Sequence, residues 1–355
     1  PEGSPPVKGG SVLFLGIEGR ALTGDESRLL RRVKPAGIVL VTRNIAEEGE
    51  LRQLIADLRA AVPQAILCLD AEGGRVDRLR SVVAPAPAAA ALAHCPPATA
   101  RRTGRLLGQA LRTFDFDLDF APVVDLDHGI TGNALDARTF GTGPRQVTAR
   151  AKAVVQGLHE GGVGACIKHF PGLGRATADT HLKGAHIRAT RAELTRDLTP
   201  FTELFPDCES AMVGHAIYPG WGEEEWPASL SPTIATTLLR NRSGFRGALF
   251  SDDLEMGALA EFGALPELGV RALAAGCDGL LFCRRIEAAA EIAGALARKA
   301  VRPRLEAAAR RVARLRRQID RWHAAAAPPP PLGELRRKLA RLAADVARRQ
   351  PYQTY

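Results

Sequence analysis

No long apolar run interrupts this chain of 355 residues. Nothing approaches the ~20 consecutive apolar residues that carry a helix across a bilayer, which excludes a membrane-spanning helix. Cysteine is sparse, six residues with no C-x-x-C pair among them. That is too scattered for a disulfide framework, and two of the six, Cys68 and Cys166, fall in apolar runs where a free thiol behaves as a small hydrophobe. Neither H-E-x-x-H nor an H-x-H on the first apolar run occurs, so the familiar zinc signatures are missing and no metal or cofactor is expected. The first ten residues, PEGSPPVKGG, lack the apolar core of a secretion signal and are expected to be a flexible N-terminus. A reduced, cytoplasmic protein is the expectation that follows.

A charge imbalance is also missing from most of the chain. The net charge of +9 comes from 48 Lys/Arg and 39 Asp/Glu. Residues 284–355 hold 18 of the basic and 6 of the acidic residues, leaving 30 and 33 for the body, so +12 faces −3. The excess belongs to the C-terminal tail. Its last segment, LGELRRKLARLAADVARRQ, interleaves no aromatic residue with its cations. A surface for stacking bases is lacking there, and no nucleic-acid partner is expected.

What the chain does contain is apolar runs of strand length: Val12–Ile17, Gly37–Val41, Ala65–Leu69, Leu118–Val123, Gly164–Ile167, Ala211–Val213, Ala248–Phe250 and Gly279–Phe282. Helical patterns separate most of them, at Glu47–Ala61, Ala98–Thr113, Pro144–Glu160, Arg191–Leu204, Pro232–Asn241 and Leu265–Ala275. Continuous apolar strands alternating with helices predict a parallel sheet covered by helices. Eight such units over roughly 250 residues fit a TIM-type (β/α)8 barrel with a C-terminal helical extension. An open doubly wound sheet is the alternative that strand count leaves standing.

The barrel is expected over residues 11–322, ending in a long helix, Glu287–Arg321, interrupted near Pro303. An Ala/Pro linker (323–331) and a basic amphipathic helix (332–355) follow. In that helix Leu332, Leu335, Leu339, Leu342 and Val346 recur every three or four residues and form one stripe. The stripe is expected to pack on the barrel or on a second copy of the chain. An anionic membrane surface is the sharper alternative.

Polar residues fall just after the strands: Glu18, Arg43–Asn44, Asp70 and Glu72, Asp125, Lys168–His169, His215 and Asp252–Asp253. Together they describe a ring at the carboxyl mouth of a barrel, where such folds bind ligands. The densest stretch is Gly164–His181, GACIKHFPGLGRATADTH, in which a short strand ends in Lys168 and His169 and breaks on Pro171, Gly172 and Gly174. Asp179 and His181 follow on the loop. An imidazole beside a carboxylate suits general acid–base work. Asp252, at the end of its strand, suits a nucleophile with a fixed backbone. Its neighbour Asp253 points to the other face and is expected to cap the next helix. Asp70, Arg75 and Arg78 in LDAEGGRVDR form a candidate clamp for hydroxyl groups.

KHFPGLGRATADTH, LDAEGGRVDR, DFAPVVDLD and FSDDLEM together resemble the family 3 glycoside hydrolases, and among them the bacterial β-N-acetylglucosaminidases of cell-wall recycling. The resemblance runs from about Leu13 to Phe282. It implies Asp252 as nucleophile, His181 as acid/base assisted by Asp179, and sugar contacts from Asp70, Arg78, Arg138, Lys168 and His169. It also implies a retaining double displacement on a terminal β-linked N-acetylglucosamine, with a small saccharide as partner. Two departures stand out, Leu173 where many members have His and Ala71 where many have Gln. Both bear on loop behaviour and fine specificity rather than on the reaction. A neutral histidine base would not repel inorganic phosphate, so a phosphorylase is the variant reading. Two further readings compete with it: a metal-dependent barrel hydrolase using His169, His181, His186, His215 and Asp252, and a non-catalytic sugar-binding protein.

Overall fold

A computed structural model describes residues 9–179, 182 and 184–349. Its strands are β1 (Leu13–Leu15), β2 (Gly37–Val39), β3 (Ile66–Leu69), β4 (Ala71–Gly73), β5 (Val76–Asp77), β6 (Leu118–Asp119), β7 (Gly164–Phe170), β8 (Ser210–Val213), β9 (Ala248–Asp253) and β10 (Gly279–Phe282). Its α-helices are α1 (Gly24–Val33), α2 (Glu48–Ala61), α3 (Ala89–Leu92), α4 (Pro97–Thr113), α5 (Pro144–Gly161), α6 (Arg191–Leu204), α7 (Leu265–Ala275), α8 (Ala289–Leu296), α9 (Arg302–Ala325) and α10 (Leu332–Ala347). Strands β1, β2, β3, β6, β7, β8, β9 and β10 are parallel and close into a barrel in that order, with β10 pairing back onto β1. The closed sheet settles the choice against an open one. The short antiparallel pair β4–β5 stands outside the barrel, directly after β3.

Each expected strand lies in the barrel, and several ends differ from expectation. β6 stops at Asp119 rather than running to Val123, because Pro122 has no N–H to offer its neighbour. β7 and β9 run further than expected, to Phe170 and Asp253, so Lys168, His169 and Asp252 are held within strands. The segment Thr233–Arg242 is wound as a π-helix where an ordinary helix was expected. α1 is unanticipated; it is short, and a capping box between Thr23 and Glu26 starts it.

The two ends of the chain depart from expectation in three ways. The single helix expected over Glu287–Arg321 is two, α8 and α9, joined by a turn at Lys299–Val301, so Pro303 sits in the first turn of α9 rather than at a break. α9 then runs on to Ala325, into the expected linker. Gly9 and Gly10, expected to be flexible, are buried in a 3-10 turn. α10 packs on α4 and α3, and Leu335, Leu339, Leu342 and Val346 are buried within this same chain.

The barrel is filled by Phe14, Val39, Ile66, Cys68, Leu118, Phe120, Cys166, Met212, Ala248, Phe250 and Leu281, with Phe250 meeting Phe14 and Phe120 edge-on at 4.8 and 5.4 Å. Val312, Leu315 and Ile319 of α9 join the same cluster. α9 therefore lies across the amino-terminal end of the barrel. Three buried acids immediately preceding strands hold this end together. Asp117, Glu209 and Asp278 accept the backbone N–H of Leu67, Ala165 and Leu249 on the neighbouring strands. Asp278 also binds Arg240, Arg304 and Arg311, and Asp117 binds Arg59 and Arg316. His159 bonds Glu209 and stacks on Trp322 of α9 at 4.2 Å.

Candidate active site

Successive strand residues alternate between faces, so the barrel filling identifies the inward face of each strand. Cys68, Cys166 and Phe250 belong to that filling. Two residues further on, Asp70, Lys168 and Asp252 are carried to the inner side of the carboxyl mouth. They line a cleft of about 460 Å3 together with Arg75, Arg78, Arg138, His169 and Asp179. Phe120, Met212 and Leu281 give it an apolar base. The resemblance's site residues thus meet in one place, except His181, which lies outside the described residues.

Lys168 organises the cleft. Its Nζ sits 2.6 Å from Asp70 Oδ1 and 2.7 Å from Glu72 Oε1. Arg138 holds both oxygens of Glu72 at 2.8 Å and donates to the Ala134 carbonyl at 2.9 Å. Burial alone would push the Glu72 carboxyl up, but Lys168 and Arg138 outweigh it and hold the group well below the usual carboxylate range. Burial disfavours the cations too. Asp70 and Glu72 outweigh it at Lys168, and Glu72 does so at Arg138, so both stay firmly protonated. Arg78 lies 3.8 Å from Asp70 and donates to Thr42 Oγ1 at 2.9 Å.

His169 is fixed from below. Asp125, fully buried, takes its Nδ1 at 2.8 Å, its backbone N–H at 3.1 Å and the Leu173 N–H at 2.7 Å. With Nδ1 facing a carboxylate, Nδ1 is the protonated nitrogen, which leaves Nε2 for a ligand. The Lys168–His169 peptide is cis, as are Ala121–Pro122 and Phe170–Pro171. Asp252 Oδ1 accepts the Asp253 N–H at 2.8 Å. Asp253 caps no helix. Its Oδ1 takes the N–H groups of Glu255 and Cys283 at 3.1 and 3.2 Å, which ties β9 to the end of β10. Burial raises its carboxyl to about 6.

Several members of the expected polar ring serve the scaffold. Arg43 and Asn44 bond the Ile17 carbonyl and its surroundings. His215 bridges Ser229 and the Asp253 carbonyl. The Arg75 guanidinium binds the carbonyls of Ala134 and Asp136. Sequence reasoning placed Glu72 after β3 but missed its role; the only available signal was a second acid two residues beyond Asp70. It also missed Asp119, a fully buried acid bonded to the Ala71 N–H and pushed well up by burial. Among the described residues no group of three His, Cys, Asp or Glu side chains is arranged to hold a metal. A larger groove of about 700 Å3 runs outside the barrel between α7 and α8. It holds none of the strand-end residues, and the chemistry favours the smaller cleft.

Carboxylates and hydrogen-bonding cations around an open cleft at a barrel mouth are the equipment of a glycoside hydrolase. The sequence profile described as "Glycosyl hydrolase family 3 N terminal domain" matches residues 11–315, and the chain belongs to that family. It is 38% identical over 282 residues to a "Beta-hexosaminidase" of Stenotrophomonas maltophilia, covering 77% of this chain and 83% of that one. The fold superposes on a family 3 beta-N-acetylglucosaminidase from Paenibacillus sp. with a TM-score of 0.87 and 26% identity, covering 96% of this chain and 69% of that one. It also superposes on native NagZ from Neisseria gonorrhoeae with a TM-score of 0.76 and 28% identity, over 96% and 99% of the two chains.

Proposed function

We propose that this glycoside hydrolase is a retaining exo-β-N-acetylglucosaminidase that removes terminal β-linked N-acetylglucosamine from peptidoglycan fragments such as N-acetylglucosaminyl-anhydro-N-acetylmuramic acid and its peptides. The observation that carries the reading is the meeting of Asp70, Arg138, Lys168, His169, Asp179 and Asp252 in one cleft. The names of its relatives supply the sugar. Asp70 and the Arg78 guanidinium accept and donate to ring hydroxyls, while Lys168, His169 and Arg138 complete the sugar site. An Asp252 carboxylate oxygen attacks the anomeric carbon as the bond to the aglycone oxygen breaks, and His181, oriented by Asp179, gives its proton to that oxygen. Water then attacks the same carbon, His181 takes a proton from it, and the bond to Asp252 breaks. Six cysteines, all free and buried, agree with a reducing, cytoplasmic setting.

The experiment is release of 4-nitrophenol from its β-N-acetylglucosaminide by the intact protein, Asp252→Ala and His181→Ala. Activity abolished in the first variant and reduced by about 10²-fold or more in the second is the expected result. An inactive intact protein, or an Asp252→Ala variant as active as the parent, would overturn the proposal. Running the assay in phosphate buffer and analysing for sugar 1-phosphate separates hydrolysis from phosphorolysis.

A further inference from the structure

Between β7 and Asp179 the chain is clamped by a charged cluster that the sugar site does not use. Asp197, on α6 and 2% exposed, accepts Arg175 Nε at 2.6 Å on one carboxylate oxygen and faces His128 Nε2 at 3.0 Å with the other. Arg175 reaches a second carboxylate of α6, Glu193, at 3.1 Å. The neighbouring backbone is held as closely. Asn133 Nδ2 donates to the Gly174 carbonyl at 3.2 Å, and a Cβ on Gly174 would lie 1.9 Å from the Leu126 carbonyl oxygen. Three separate parts of the chain, α6, the loop after β6 and the loop after β7, thus converge four residues before Asp179.

We infer that Asp197 and Arg175 are positioning residues for the acid/base step, fixing the base of the segment that presents Asp179 to the cleft. The inference rests on the roles proposed above for Asp179 and His181. Its physical basis is that two buried charge-assisted hydrogen bonds on one carboxylate restrict rotation of the loop base far more than neutral contacts do. Glycines at 172 and 174 would otherwise leave that base free to turn. Neither residue lines the sugar cleft, so neither affects the nucleophile or the sugar contacts directly.

A leaving group that departs without a proton bypasses the acid, and one that needs the proton does not. The test therefore compares kcat/KM of the intact protein, Arg175→Ala and Asp197→Asn on two substrates, 2,4-dinitrophenyl and phenyl β-N-acetylglucosaminide. Arg175→Ala sits on a partly exposed loop and keeps the fold; equal thermal unfolding midpoints verify this. The expected result is a loss of about 10- to 10²-fold on the phenyl substrate with about threefold or less on the dinitrophenyl one, the pattern of a displaced acid. Equal losses on both substrates in Arg175→Ala, or none, would overturn the inference while leaving the hydrolase reading intact. An intact protein inactive on both would remove the reading and the inference together.

Discussion

Glu72 Oε1 lies 2.7 Å from Lys168 Nζ, and both side chains are all but sealed from solvent. The pair joins β4 to β7 at the cleft, and Arg138 closes the other side of the same carboxylate. Removing the acid would leave buried Arg138 without a carboxylate and Lys168 with Asp70 alone.

Glu72→Ala is accordingly expected to lose about 3–5 kcal/mol in denaturant unfolding, the cost typical of breaking a buried pair from one side. Glu72→Gln, which keeps hydrogen bonding but not charge, should lose less. A loss below about 1 kcal/mol for the alanine variant would show that water reaches the cations and that the cluster is not dry.

Asp253 sets a pH dependence of stability. Burial raises its folded-state carboxyl to about 6. A raised acid binds its proton more tightly in the folded state, so its stabilisation is complete below the unfolded value of ~3.9 and is lost as pH rises to about 6. Both of its backbone partners use Oδ1, which an asparagine preserves. Asp253→Asn should therefore be favoured over the parent at pH 7, and its advantage should shrink toward pH 4. Urea midpoints across that range test this, and a constant difference would contradict it.

Asp278 separates the two ends of the barrel. Asp278→Ala leaves Arg240, Arg304 and Arg311 without their shared partner and should lose about 3–5 kcal/mol. Because it stands at the amino-terminal end, kcat/KM of the folded variant should stay within about twofold of the parent. A tenfold fall in kcat/KM with the fold intact would mean that the two ends are coupled.

Leu339 tests where the α10 stripe is buried. Leu339→Ala should lose about 2–4 kcal/mol, as for other core leucines. With the contact inside one chain, the unfolding midpoint should not depend on protein concentration. A midpoint that rises with concentration would assign the stripe to a second copy instead.

The barrel was legible because strands buried on both faces read as unbroken apolar runs, and eight of these stand out from the helices between them. The mouth was legible in part, since Asp70, Lys168 and Asp252 end such runs and line the cleft, while Arg43, Asn44 and His215 end them and serve the scaffold. The parts that escaped depend on contacts between distant segments. Nothing local marks Glu72 as the partner of Lys168 and Arg138. The acids before the strands, Asp117, Glu209 and Asp278, look like ordinary loop residues until α9 brings arginines to Asp117 and Asp278 and α5 brings His159 to Glu209. Asp253 was read as a helix cap because its own bonding reaches across to β10, which adjacency in sequence does not show. The break after Leu296 was placed too late, at Pro303, because proline is as welcome in the first turn of a helix as it is disruptive in the middle.

The packed barrel interior, floored under the cleft by Phe120, Met212 and Leu281 and backed by the helix across the amino-terminal end, makes the site a blind alley. Whatever enters the mouth therefore departs by the way it came. On the proposed reading, traffic through such a site has an imposed order: the aglycone, nearest the opening, clears before the sugar behind it can follow. Free N-acetylglucosamine should then compete with incoming substrate for the same deep berth, and the enzyme should slow as its own monosaccharide product accumulates.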